Sequence, residues 1–147
     1  MINVIIHISD SGWGNAVTID SWHRQRGMKM IGYHFVILNG QVSPKRHISW
    51  LDGKVETGRP LDLDNVISPD EVGAHALGYN QNSIGICLIG LPGNATHSQM
   101  SSLQTLIKLI KDRIPDIDIL QHSDVDPVNR PYCASLTKIQ MQTLKSL

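Results

Sequence analysis

Cysteine is scarce in this chain, net charge is absent and no long apolar run occurs, and each shortage excludes a class of protein. Cys87 and Cys133 are the two cysteines among 147 residues, too few for a disulfide framework. Basic and acidic residues both number 13, so charge gives no reason to expect nucleic acid or an anionic membrane as partner. No stretch approaches the roughly 20 apolar residues of a membrane span. The opening MINVIIHISDSGWG lacks a basic segment, and His7 breaks its apolar run. It matches neither a secretory leader nor a lipidation signal. The expectation is cytoplasmic synthesis, with any outside target reached after release by another agent. Repeats, low-complexity tracts and linkers are missing, and the length suits one domain over residues 1–147 with a single core.

Histidine, by contrast, is plentiful: seven residues of a type that titrates near neutrality and commonly binds metals. The elements around them follow from pattern. Asn3 to Ser9 reads as a short buried strand ended by the Asp10-Ser11-Gly12 turn cluster. Thr18 is placed to cap a helix with Ile19 and Trp22 inward, ending near Gly27. Tyr33 to Leu38 is the next strand, with Asn39-Gly40 a hairpin signal and Asp52-Gly53 a second turn. Residues 41–60 then form a strand pair or an extended excursion, and Ser68 to Glu71 a single turn. SIGICLIG, residues 83–90, is apolar enough for a strand buried on both faces, with Cys87 inside it. Met100, Leu103, Leu106, Ile107, Ile110 and Ile114 recur at helical spacing between Ser98 as cap and Pro115 as stop. Ile117 to Leu120 is a strand leading into His122, and a tail helix turns Leu136, Ile139 and Leu144 inward. The alternation predicts an α/β domain with a mixed central sheet flanked by helices.

Cys133 poses a question, because HSDVDPVNRPYC, residues 122–133, is a polar loop and not the apolar run a packing cysteine prefers. His7 and His122 both fall at strand ends. Two imidazoles and a thiolate could hold a zinc ion and leave a fourth position for water, the catalytic arrangement. Spacing alone leaves this open, since the gaps match no compact signature such as HExxH, and a histidine on a strand is more often a packing or surface residue. A Cys87–Cys133 pairing is also compatible with the sequence. Pro127 and Pro131 would stiffen the return of the loop, and Asp124 is a candidate partner for a ligating imidazole.

Four stretches in fixed order go further: IIHIS, then GYHFVI at 32–37, then GAHALGYNQNSIGICLIG at 73–90, then HSD leading to a cysteine. Together they resemble the zinc N-acetylmuramoyl-L-alanine amidases, the superfamily of phage amidase lysozymes and peptidoglycan recognition proteins, over roughly residues 3–135. The resemblance implies that fold, one Zn²⁺ held by His7, His122 and Cys133, and Tyr33 beside the metal assisting catalysis. It also implies a substrate groove lined by His75 and touched by Asn80. The reaction it implies is hydrolysis of the amide between N-acetylmuramic acid and L-alanine of peptidoglycan, by a monomeric phage or prophage endolysin acting on the cell wall. Zinc suits that chemistry as Lewis acid and activator of water, and a phenol can stabilise the oxyanion. Related phage enzymes carry a lysine two residues before the third ligand. Here Pro131 stands there, and the nearest cation is Arg130, which is not geometrically equivalent to lysine. Arg130 is a candidate catalytic cation, or else a loop arginine paired with Asp124 or Asp126. The stretch carrying Lys45, Arg46, His47 and Trp50 either shapes substrate preference or is a solvated hairpin. Trp13 is a cleft wall or a packing residue, His34 is structural, and His23 and His97 are assigned to the surface without function. The competing functions are a recognition module that binds muropeptide without cutting it and a cytoplasmic amidase that recycles muropeptides.

Overall fold

The computed structural model describes residues 1–147. Five strands form one mixed sheet in the order β3-β2-β4-β1-β5: β1 Ile2–Ile8, β2 Phe35–Ser43, β3 Arg46–Thr57, β4 Ser83–Leu88 and β5 Ile117–Gln121. β1 runs parallel to both β4 and β5, β2 runs parallel to β4, and β3 closes the edge antiparallel to β2. The central strands β1 and β4 are covered on both faces, as their near-continuous apolar sequences require.

Side-chain alternation along these strands divides the molecule. On one face Val4, Ile6 and Ile8 of β1 join Ile84, Ile86 and Leu88 of β4 under helices α2 (His97–Arg113) and α4 (Lys138–Lys145). Leu103, Leu106, Ile107 and Ile110 supply the helical side of this main core. On the other face a smaller cluster packs Cys87, Val36 and Leu38 against Ile19 and Trp22 of helix α1 (Ala16–Gln25). Because α1 covers only part of that second face, the remainder is left for His7 and its neighbours.

Several element ends depart from expectation. Asn15, not Thr18, caps α1: its Oδ1 accepts from both the amide and the hydroxyl of Thr18 at 2.9 Å. Thr96, not Ser98, caps α2 in a reciprocal box with Gln99. The Gln99 amide is itself buried and donates to the carbonyls of Ile37 and Ile89, so one residue both starts the helix and pins it to the sheet. Asn39-Gly40 does not reverse the chain. Gly40 has φ +87° and Gly53 φ +89°, and the two signals lie inside β2 and β3, where the register shifts around the Asn39–Asp52 pair. They bend one long ribbon, as bulges do, and the reversal falls at Pro44-Lys45. In α4 the inward residues are Met141 and Leu144, while Ile139 is exposed. Ser68 to Glu71 does make a single 3-10 turn.

That turn holds a buried carboxylate. Burial would raise the Glu71 pKa, but hydrogen bonds from the hydroxyl and amide of Ser68 and from the Asp62 amide override it and pull it down to about 2 from 4.5. A folded pKa below the unfolded one means stability that is complete above pH 4.5 and is lost as pH falls toward 2. Urea unfolding of the wild type and Glu71→Gln at stepped pH is expected to show an advantage for the wild type at neutrality that shrinks through this window. A pH-independent difference would contradict the assignment.

Candidate active site

His7 is the next-to-last residue of β1, and alternation turns its ring away from the main core onto the partly uncovered face. His122 begins a one-turn helix, α3 (His122–Val125), directly after β5, the strand hydrogen-bonded to β1. The parallel β1–β5 pairing therefore brings the two imidazoles together, with ring centroids 4.5 Å apart. The 126–133 loop returns Cys133 to the end of β1, where the Ile8 amide donates to Sγ at 3.3 Å. The Cys133 Sγ lies 3.9 Å from His7 Nδ1, and one donor atom from each of the three residues lies within 4.8 Å of the other two. Tetrahedral zinc bonds of about 2.0–2.3 Å separate a nitrogen from a sulfur donor by about 3.5 Å. The set fits the ion in chemistry and closely in spacing.

The electrostatics suit the same purpose. His7 is pushed well below its ordinary pKa by burial and then by His75, His122 and Arg130, and His122 is lowered by burial and Arg130. Both imidazoles are thus held neutral, the form that ligates metals. Burial raises the Cys133 thiol to about 11 against opposing pulls from the Ile8 amide and Arg130. Without a metal the residue is a thiol; a bound cation would supply the charge that makes it a thiolate.

A cleft of about 540 Å³ opens over this cluster, and all seven residues singled out from the sequence line it: His7, Tyr33, His75, Asn80, His122, Arg130 and Cys133. Tyr33 precedes β2, with its ring 5.0 Å from that of His7. Burial, then the nearby Cys87 and Cys133 thiols, raise its pKa well above 10, so the phenol keeps its proton. Asn80 Oδ1 accepts from the amides of His75 and Ala76 at 2.8 and 2.9 Å, which fixes the loop over the cleft. Both His75 ring nitrogens are engaged, one with His7 Nε2 at 2.9 Å and one with Ser83 Oγ at 3.1 Å. Arg130 is exposed at the rim; its guanidinium donates to the Asn129 carbonyl and forms no ion pair with Asp124 or Asp126.

The match to the family model described as N-acetylmuramoyl-L-alanine amidase runs over residues 2–135. The chain belongs to this family. Among similar proteins, the endolysin of Escherichia phage T7 is 36% identical over 118 residues, and that of Klebsiella phage KP32 is 33% identical over 116. Each match covers 74% of this chain and 64% of the endolysin, so the chain spans somewhat under two thirds of these relatives. Among solved structures, N-acetylmuramoyl-L-alanine amidase LysC from Clostridium intestinale aligns with a TM-score of 0.74 at 26% identity, over 98% of this chain and 82% of LysC. Wild-type Drosophila PGRP-LB aligns with a TM-score of 0.63 at 28% identity, over 84% of this chain and 69% of that one. A PGRP-LB variant in complex with tracheal cytotoxin aligns at 0.66 and 26%, over 90% and 73%.

Within this amidase-family fold, some expectations about individual residues change. His23 is buried, not superficial. Its Nδ1 accepts from the Gly32 amide at 2.9 Å and its ring lies 5.4 Å from that of Tyr33, so α1 steadies the chain entering β2. Its position four residues after Ile19, on the same helical face, was the available signal. His34 is structural as expected, bonded to the Glu71 carbonyl and the Gly85 amide. Trp13 packs edge-on against Trp22 and does not line the cleft. Trp50 is 81% exposed, and no residue of the β2–β3 ribbon reaches the cleft wall. Asp124 caps the turn at Gln121 and does not contact an imidazole. Both cysteines are free thiols.

Gly85 of β4 was not singled out from the sequence, although the His75 ring lies directly on it. A Cβ there would sit 2.6 Å from two ring atoms. Gly85→Ala is expected to displace the ring and to destabilise the protein by about 1–3 kcal/mol, the range for overpacking. Urea unfolding checks the stability and the His75 ring resonances check the displacement.

Proposed function

We propose that this chain is a zinc-dependent N-acetylmuramoyl-L-alanine amidase that hydrolyses the bond between N-acetylmuramic acid and L-alanine in peptidoglycan, and that it serves as an endolysin. The observation that carries the reading is the convergence of His7, His122 and Cys133 beneath Tyr33 in a cleft of this family's fold. His7, His122 and Cys133 would hold the ion. When bound, zinc supplies Lewis-acid polarisation of the scissile carbonyl and activation of water at neutral pH.

The protein's own groups do the rest. Burial keeps Tyr33 protonated, so it donates a hydrogen bond to the oxygen that gains charge as the carbonyl becomes tetrahedral. Arg130, unpaired at the rim, adds positive charge on the same side in place of the lysine of related phage enzymes. Its longer side chain starts one residue further from the third ligand. The loop of Ala74, His75, Ala76 and Leu77, held by Asn80, walls the side on which a peptide stem would lie. No helix is long and apolar enough to cross a membrane, and the wall would be reached after release.

End-group analysis of purified peptidoglycan after incubation with the protein tests the reaction assigned. New amino termini that are L-alanine, without new reducing sugar ends, are expected. New reducing ends would mean a glycosidase, and wall binding without new termini would favour the recognition module.

A further inference from the structure

His75 lines the cleft, and the surroundings of its ring point to a task beyond that of a wall. The residue is 9% exposed. Its ring lies in a slot made by two glycines: a Cβ at Gly85 would come within 2.6 Å of it and one at Gly73 within 2.7 Å. Its backbone amide is held by Asn80. One ring nitrogen, Nδ1, lies 2.9 Å from His7 Nε2, and the other, Nε2, lies 3.1 Å from Ser83 Oγ. Neither nitrogen is free for a ligand.

We propose that His75 is a positioning residue for the metal centre: by accepting a hydrogen bond from His7 Nε2–H, it fixes the His7 tautomer and ring orientation that present Nδ1 to His122 and Cys133. This inference rests on the zinc reading above. An imidazole that gives its Nδ1 lone pair to a metal carries its hydrogen on Nε2, and a buried N–H requires an acceptor. His7 Nδ1 faces Cys133, so the hydrogen belongs on the side facing His75. His75 Nδ1 then accepts, its own hydrogen sits on Nε2, and that hydrogen is donated to Ser83 Oγ. With Nδ1 of His7 committed to the metal, this order satisfies both ring–ring and ring–hydroxyl contacts. A carboxylate or a backbone carbonyl often serves behind a ligating histidine. Here His7 Nε2 meets no carboxylate and no backbone carbonyl, and a second histidine backed by a serine takes that place.

The test compares His75→Asn with His75→Leu. Asparagine puts Oδ1 where Nδ1 stood and keeps an acceptor for His7. Leucine fills the slot without one. Zinc affinity is measured by competition with a chromophoric chelator. His75→Leu is expected to lose about 10–100-fold, the scale for outer partners of metal ligands, while His75→Asn stays within about threefold of the wild type. Long-range ¹⁵N–¹H spectra of the zinc-free proteins give a second readout. The Nε2–H form of His7 is expected to dominate in the wild type and in His75→Asn, and to give way to a mixture in His75→Leu. Should His75→Leu fail to fold, the ¹⁵N pattern of the wild type and of Ser83→Ala, which frees the far side of His75, carries the comparison. Equal losses in the Asn and Leu variants, or an unchanged His7 tautomer in both, overturn the proposal. Zinc binding by the wild type that disappears in Cys133→Ala would leave the metal site standing even then. A wild type that binds no zinc overturns both readings.

Discussion

Cys133→Ala is expected to abolish both stoichiometric zinc binding and peptidoglycan hydrolysis while leaving the far-UV circular dichroism of the wild type, and His122→Ala to do the same. The reason is the position of the two residues. Both lie at the cleft: Cys133 is half-buried and packs only at the margin of the main core, and His122 starts a four-residue turn, so truncating either leaves the fully buried side chains of β1, β4 and α2 in place. The loss of activity should exceed about 100-fold, because even the outer partners of metal ligands cost 10–100-fold and removal of a ligand leaves two donors where a catalytic site uses three. Zinc content by mass spectrometry and release of L-alanine termini measure the two effects on one sample. Hydrolysis retained by purified Cys133→Ala would remove that residue from the ligand set. Failure of both variants to fold would show that the loop carries stability as well.

The largest effect on stability is expected at the interface between α2 and the sheet. Leu103 is fully buried in the main core that α2 shares with the sheet. Leu103→Ala removes methyl groups from a close-packed region bounded by a helix that Gln99 ties to the carbonyls of Ile37 and Ile89. The tie limits collapse around the cavity, so the loss should fall within the range of about 2–5 kcal/mol for buried leucine truncations. Urea unfolding reports it as a lower midpoint with little change in slope. Leu109, on the outer side of the same helix and 49% exposed, provides the control. Leu109→Ala should stay within about 0.5 kcal/mol of the wild type. Equal losses at the two positions would contradict the packing described.

What was legible in the sequence divides along physical lines. Strands buried on both faces announce themselves by short, mostly apolar runs, so β1 and β4 are plain in the sequence despite His7 and Gly85, and so is the periodic stripe of α2. Features decided by tertiary context were not. Asn39-Gly40 and Asp52-Gly53 are the same dipeptides whether they reverse a chain or bend a ribbon, and only the facing strand decides. Thr18 and Ser98 were reasonable caps, but Asn15 and Thr96 lie nearer the true first turns and win them by their side-chain bonds. The residues of the cleft were legible as a set because their motifs occur together in order. Their individual tasks were less so. His75 could be placed near the site by its motif, whereas its two ring bonds depend on strand register and on the missing side chains at Gly73 and Gly85. Arg130 was visible as the nearest cation, and its lack of an acidic partner is a property of the folded loop.

Mass spectrometry of purified peptidoglycan, digested with this protein in the presence of zinc and again after chelation, tests the central claim most directly. Free stem peptides beginning in L-alanine, formed with zinc and not after chelation, are the predicted products. The same peptides formed equally well after complete removal of zinc, or no peptides from zinc-loaded protein, would contradict the account.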